Sequence, residues 1–205
     1  MRRVVLSMFL TLDGFISGPN GELDWMPGNQ KPDQEVDAYI YDMMDEMDTM
    51  LLGANTFEVF EDYWPTASTR EEIIADKLNA MPKVVFSKAP EVSWGKWDNA
   101  RPAKGTLAEE IDRLRHQSGK DMVMFGGAAL AQSSMELGLI DEFKLVVSPI
   151  ILGSGKPLFR RMKDRVDLKL ADTRTFKSGA VLLSYVPREP RPASGPGSAA
   201  RGMGP

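Results

Sequence analysis

Residues 125–159 read FGGAALAQSSMELGLIDEFKLVVSPIILGSGKPLF, and they follow directly on Met122-Val123-Met124. The uninterrupted apolar run Met122–Phe125 has the pattern of a strand buried on both faces. It ends on Gly126-Gly127, and the next residues predict a helix with Leu130, Ser134 and Leu137 on one face. A second apolar strand is expected from Phe143 to Leu152, interrupted by Pro149 and closed by Gly153-Ser154-Gly155. A glycine pair where a strand turns into a helix leaves the backbone open to a ligand, because no Cβ stands in the way. The N–H groups of the helix's first turn then face that ligand, with the positive end of the helix dipole behind them. Such a corner suits a pyrophosphate.

Outward from this corner the chain alternates strand and helix. Val4–Thr11 predicts a strand and Leu12–Pro32 a long loop, of a length that in a compact domain is usually functional. Asp33–Met47 predicts a helix through the spacing of Val36, Ile40, Met43, Met44 and Met47. Thr49–Leu52 predicts a short strand ending at Gly53, a second helix begins near Phe57–Phe60, and Arg70–Asn79 predicts a third. Lys83–Phe86 is a strand. Thr106-Leu107-Ala108-Glu109 has capping-box spacing and opens a helix reaching about His116. Asp167–Phe176 and Val181–Val186 form a closing hairpin about Ser178-Gly179. Strands separated by helices predict a mostly parallel sheet, to which the hairpin adds antiparallel pairing. Residues 1–188 are read as one α/β domain. Residues 189–205, rich in Pro, Gly, Ala, Ser and Arg, are read as a disordered tail, too poor in apolar side chains to offset ordering entropy.

The 205-residue chain is long enough for one sizeable core. A net charge of -4 argues against broad nucleic-acid binding, which needs a basic face. No apolar run has membrane-spanning length, so no membrane partner is expected. The chain has no cysteine and one histidine, which removes disulfides, thiolate chemistry and His-based triads or metal sites. A cytoplasmic location is expected. The acidic run Asp42, Asp45, Glu46 and Asp48 reads as a solvated helix face, with Met43, Met47 and Met50 turned into the core. Gly126-Gly127-Ala128-Ala129 lacks the G-x-G-x-x-G spacing of doubly wound dinucleotide folds, and Gly153-Ser154-Gly155-Lys156-Pro157 is not a Walker A loop. The latter is either a tight turn or a ligand contact.

FGGAALAQSSMELGLIDE followed by PIILGSGKPLF resembles the C-terminal half of the dihydrofolate reductase-like family, in the branch of the riboflavin-biosynthesis reductase domain (the RibD C-terminal domain). SMFLTLDGFIS resembles that family's first strand and nicotinamide-side loop, and LLGANTFE its phosphate-holding turn. The resemblance spans about Arg3 to Val186. It implies a dihydrofolate reductase-like three-layer α/β fold and an NADPH-dependent reductase of a small heterocyclic substrate. Within the branch it points to a 5-amino-6-(5-phosphoribosylamino)uracil reductase of riboflavin biosynthesis. A dihydrofolate or pterin reductase, or a nicotinamide-nucleotide-binding protein without turnover, stands as the alternative. The resemblance also suggests a homodimer.

The same resemblance assigns residues. Gly53, Asn55 and Thr56 would hold one cofactor phosphate, although Asn and Thr are equally ordinary helix caps. Gly126, Gly127, Ala128 and Leu130 would hold the pyrophosphate, and Ile16 and Ser17 the carboxamide. The adenosine end would lie by Ser87 and Lys88. Relatives carry a basic residue where this chain has Ala54, so Lys88 either supplies that charge or is a solvated lysine. Trp25 would border cofactor and substrate, while Tyr63 and Trp64 would line the substrate pocket or cap the core. For the proton donor the candidates are Asp33 and Asp37, near the first helix, neither matching the folate-reductase pattern cleanly.

Overall fold

A computed structural model describes residues 1–26, 33–68, 72–87, 97–160, 162 and 164–188. Lys88 and the tail 189–205 therefore lie outside the described residues. In chain order the elements are β1 (Val4–Thr11), β2 (Phe15–Ser17), α1 (Gln34–Met44), β3 (Met47–Gly53) and α2 (Ala54–Tyr63). After a 3-10 turn at Trp64–Thr66 come α3 (Ala75–Ala80), β4 (Lys83–Phe86), β5 (Ala100–Pro102), α4 (Leu107–Arg115), β6 (Asp121–Phe125) and α5 (Ala128–Glu136). The chain closes with β7 (Glu142–Ser148), β8 (Lys156–Pro157), β9 (Leu168–Thr175) and β10 (Val181–Pro187).

Eight strands form one sheet in the order β5-β4-β3-β6-β1-β7-β10-β9. Only β10 runs against the rest, pairing antiparallel with both β7 and β9. The sequence of β1, VVLSMFLT, explains its central place. Flanked on both edges and covered on both faces, it is buried along almost its whole length and has no need of alternation. The edge strand β9 is exposed at nearly every position and carries Lys169, Asp172 and Arg174, charges that discourage edge-to-edge pairing.

Alternate strand residues feed two cores. On one face Val5, Met50, Leu52, Val123 and Val146 pack against Val36, Ile40 and Met43 of α1, Phe57 of α2 and Leu78 of α3. On the other, Leu6, Leu51, Met122, Met124 and Leu145 pack against Ile111 and Leu114 of α4 and Leu130 and Met135 of α5. The chain thus works outward from β1 through β3, β4 and β5 with helices on one face. It then returns on the other face to insert β6 between β3 and β1. The predicted capping box is present: Thr106 Oγ1 accepts from the Glu109 amide, and the Glu109 carboxylate accepts from the Thr106 amide. The hairpin turn is as expected, with Gly179 at φ +88°.

Several boundaries differ from the sequence reading. The first helix stops at Met44, because Met47 already starts β3. The third helix is confined, among described residues, to Ala75–Ala80. The strand from Glu142 ends at Ser148, before Pro149, which has no N–H for the ladder. Leu137 caps the end of α5 and is 41% exposed, so it does not share the buried face of Leu130 and Ser134. β2, β5 and β8, each two or three residues long, had no periodic signal.

Candidate functional site

The adjacent strands β3 and β6 run parallel, with Met50 opposite Val123 and Leu51 opposite Met124, so their C-terminal ends open at the same edge. Each then turns into a helix without a side-chain cap: Gly53 is the N-cap of α2 and Gly127 the N-cap of α5. Two sets of first-turn N–H groups therefore converge where the strand order reverses, the place in open α/β sheets where ligands bind. Gly53, Asn55, Thr56, Gly126, Gly127, Ala128 and Leu130 all fall in this corner. Asn55 is exposed and Thr56 half-buried, whereas the Leu130 side chain is core, which leaves only its amide for a ligand. Phe86 pairs with Gly53, so Ser87 follows at the same edge.

The glycine pair has a packing reason beside the one expected. Gly126 and Gly127 have φ of +62° and +73°, a region that L side chains rarely adopt. A Cβ at Gly126 would lie 2.8 Å from Thr56 Cγ2, and one at Gly127 would lie 2.8 Å from Thr56 Oγ1. The missing side chains make room for Thr56, and so let the two helix starts close on each other.

The loop after β1 is tied down beside this corner. Asp13 accepts hydrogen bonds from Thr11 Oγ1 (2.6 Å) and from the amides of Gly153 (2.8 Å) and Leu152 (3.3 Å). The Thr11 hydroxyl and these amides hold its carboxyl below the usual range. Strand β2, carrying Ile16 and Ser17, pairs with β8. Gln132 of α5 donates from Nε2 to the carbonyls of Pro157 (3.1 Å) and Leu158 (3.0 Å), which links β8 to α5. Gly155 is required by this packing, since a Cβ there would meet the Ser17 carbonyl at 2.2 Å. The Gly153–Gly155 segment is thus a tight turn against β2. Trp25 is 9% exposed, and its indole N–H has no hydrogen-bond partner among the described residues.

At the same edge α1 begins. Asp33 is its N-cap, accepting from the Glu35 and Val36 amides at 3.2 Å each through Oδ1. Its Oδ2 is buried and unpartnered among the described residues. One turn on, Asp37 is pushed up to about 6, first by burial and then by the negative charges of Glu72 and Asp33. Glu72, not foreseen from the sequence, accepts a 2.6 Å hydrogen bond from the Tyr63 hydroxyl. Tyr63 is half exposed, while Trp64 packs edge-on to Phe60 and Tyr63 against the core. Asp33 is thus a capping residue, and Asp37 is a carboxyl whose proton the fold holds more tightly than usual.

Residues 2–182 match the RibD C-terminal domain model. The chain belongs to the RibD C-terminal domain family. It is 37% identical over 187 residues to the uncharacterized protein YyaP of Bacillus subtilis, covering 90% of this chain and 94% of that one. Among solved structures it resembles a diaminohydroxyphosphoribosylaminopyrimidine deaminase/5-amino-6-(5-phosphoribosylamino)uracil reductase from Thermotoga maritima, with a TM-score of 0.65 and 16% identity, covering 91% of this chain and 56% of that one. A dihydrofolate reductase from Enterococcus faecalis, complexed with NADP(H), matches with a TM-score of 0.61 and 14% identity over 91% of this chain and 97% of that one. The RibD C-terminal, reductase-like domain therefore has the dihydrofolate reductase-like fold here, with a mostly parallel sheet and a C-terminal antiparallel hairpin. Among the described residues no helix is long and apolar enough to cross a membrane.

Proposed function

We propose that this protein is an NADPH-dependent reductase of a C=N or C=O bond in a small heterocyclic substrate, akin to the uracil reductase activity named for the Thermotoga relative. One observation carries the reading. At the edge where the uncapped starts of α2 and α5 converge, α1 presents a carboxyl held up to about 6. The residues fit a dinucleotide, because two uncapped helix starts pinned together by Thr56 offer amides to a pyrophosphate and the dipoles of both helices favour its charge.

NADPH, when bound, supplies the hydride. The chain's own contribution is position, solvent exclusion and a proton. Amides of Asn55, Thr56, Ala128 and Leu130 would hold phosphate oxygens, and the β2 backbone at Ile16 and Ser17 would orient the carboxamide. Buried Trp25 would keep water from the reacting faces, and Tyr63 would stack on the ring. Asp37 would hold the proton that neutralises the reduced heteroatom. A carboxyl near 6 is protonated often enough at neutral pH to donate, and an ordinary aspartate is not.

Oxidation of NADPH with a panel of pyrimidinones, pterins and flavins, followed by loss of nicotinamide absorbance, tests the reading. Turnover of one class supports it. Tight NADPH binding without oxidation by any compound would instead support a nucleotide-binding protein, and pterin turnover alone would favour a folate-type reductase. Homodimerisation is part of the proposal on family grounds, and light scattering of the full chain tests it.

A further inference from the structure

The two ends of the proposed dinucleotide site stand on separate pieces of the fold. The pyrophosphate corner is built on β3 and β6, inside the eight-stranded sheet. Ile16 and Ser17 are carried by β2, which pairs with β8 in a two-stranded ribbon outside that sheet. The ribbon lies at the same edge, because β1 runs parallel to β6 and leads into β2. Gln132 of α5 joins the two pieces. It follows Ala128 by four residues, which puts it on the same helix face as the amide proposed to hold phosphate, one turn along. Half-buried, it donates from Nε2 to the carbonyls of Pro157 (3.1 Å) and Leu158 (3.0 Å). The next link is backbone. The Leu158 amide donates to the Gly14 carbonyl at 3.0 Å, while Phe15 pairs with Pro157 and Ser17 with Lys156. Leu158 is fully buried in the core that holds Leu130 and Ala131 of α5, and Ile16 packs against that core. Apolar burial keeps β8 against α5 without direction, whereas two hydrogen bonds from one side-chain amide fix where along α5 it sits.

Resting on the reductase reading above, we infer that Gln132 is a positioning residue. It fixes the spacing between the amides that hold the pyrophosphate and the β2 backbone that orients the nicotinamide carboxamide, and it acts through β8. A ligand held at both ends gains from its second end only when the two subsites stand at the right separation. Hydride transfer depends on that separation more steeply, since a misplacement of about 1 Å costs about 10²-fold in rate. Loss of the Gln132 amide leaves the pyrophosphate corner intact, because β3, β6 and Thr56 build it without the ribbon. The loss therefore falls on the nicotinamide end alone.

Calorimetric titration of the full chain with NADPH and with 2′-phospho-ADP-ribose, the same ligand without its nicotinamide, tests this. Wild type should bind NADPH more tightly, and the ratio of the two dissociation constants measures what the nicotinamide end contributes. Gln132→Glu keeps the size of the side chain but turns only acceptor oxygens toward two carbonyls. It should weaken NADPH binding about tenfold, the effect of the two lost hydrogen bonds, and leave the fragment within about twofold. Gln132→Lys restores a donor with the necessary reach and should recover most of the ratio. Should the glutamate variant not fold, Gln132→Ala removes the donor without adding charge and carries the same comparison. A distorted α5 would weaken both ligands alike, so equal weakening overturns the inference, as does a ratio unmoved by loss of the donor. NADPH binding by wild type sustains the cofactor reading in either case. If wild type binds the fragment as tightly as NADPH, the inference alone is overturned. If it binds neither ligand, the inference and the cofactor reading fall together.

Discussion

Gly127→Ala separates two ways in which a glycine can matter at this corner. The new Cβ would sit 2.8 Å from Thr56 Oγ1 on a backbone at φ +73° and ψ 89°. Holding an L residue in that region costs roughly 1–2 kcal/mol. Turning Thr56 off its rotamer to relieve the contact adds about 1 kcal/mol. Together they predict a loss of about 2–3 kcal/mol, which for a chain of this size lowers Tm by roughly 5–10 °C. Urea and thermal unfolding measure it. Thr56→Ala in the same chain should return the steric share, about 1 kcal/mol, and leave the backbone share. NADPH affinity adds a second reading. Displaced Thr56 carries one of the amides proposed to hold phosphate, so Gly127→Val should weaken binding at least tenfold, about 1.4 kcal/mol, with partial recovery when Thr56→Ala is added. A Gly127→Ala protein with unchanged Tm would refute the argument. Weak binding that Thr56→Ala fails to relieve would show instead that the added side chain enters the ligand's own space.

Asp37→Asn should lower kcat by about 10²-fold or more, and the wild-type rate should fall as pH rises through about 6, where the donor loses its proton. Because the folded state raises this pKa above its ordinary value, it binds the proton more tightly than the unfolded chain does. Wild-type stability therefore falls between about pH 4 and 6, and the Asn variant should be the more stable protein above pH 6 in paired melts. Lys83 shifts the other way. Fully buried under Trp97, with Nζ 2.7 Å from the Asn79 carbonyl, it is pushed down to about 7 by burial. The unfolded chain holds more protons between pH 7 and 10, so stability should climb over that window by up to about 1.4 kcal/mol per pH unit, a slope that Lys83→Met should abolish. Asp13→Ala removes the acceptor shared by Thr11, Leu152 and Gly153, and amide exchange at Leu152 and Gly153 should accelerate at least tenfold. Exchange unchanged at both amides would mean that β2 and β8 alone hold the loop.

What was legible from residues alone were the elements with a period or a cap. Buried strands β1, β6 and β7 announce themselves as largely apolar stretches, and α4 by Thr106 and Glu109 reaching for each other's amides. The glycine corner was visible because only a strand-to-helix turn explains Gly126-Gly127 between two such patterns. The part played by Thr56 was not visible, since it is 70 residues away and meets the glycines only once β3 and β6 are neighbours. Glu72 was hidden for the same kind of reason. It falls in a stretch that reads only as a helix start, and its effect on Asp37 passes through space. Short β2 and β8 owe their strand form to each other and to Asp13, so neither segment alone carries the signal.

The late insertion of β6 sets the order in which the molecule can be built. Met122 must pair with Val4, and Glu142 with Val5, across more than a hundred residues of intervening chain. As the polypeptide leaves the ribosome, β1 and β3 emerge with the slot between them still unfilled, presenting unpaired ladder groups and two apolar faces. Nothing local can close that slot. The nascent chain stays exposed to wrong strand partners until α5 is out, and folding is expected to be slow for so small a domain. Because the corner proposed to hold the nucleotide is made from β3 and the late-inserted β6, a ligand there can stabilise only a chain that has already finished this step.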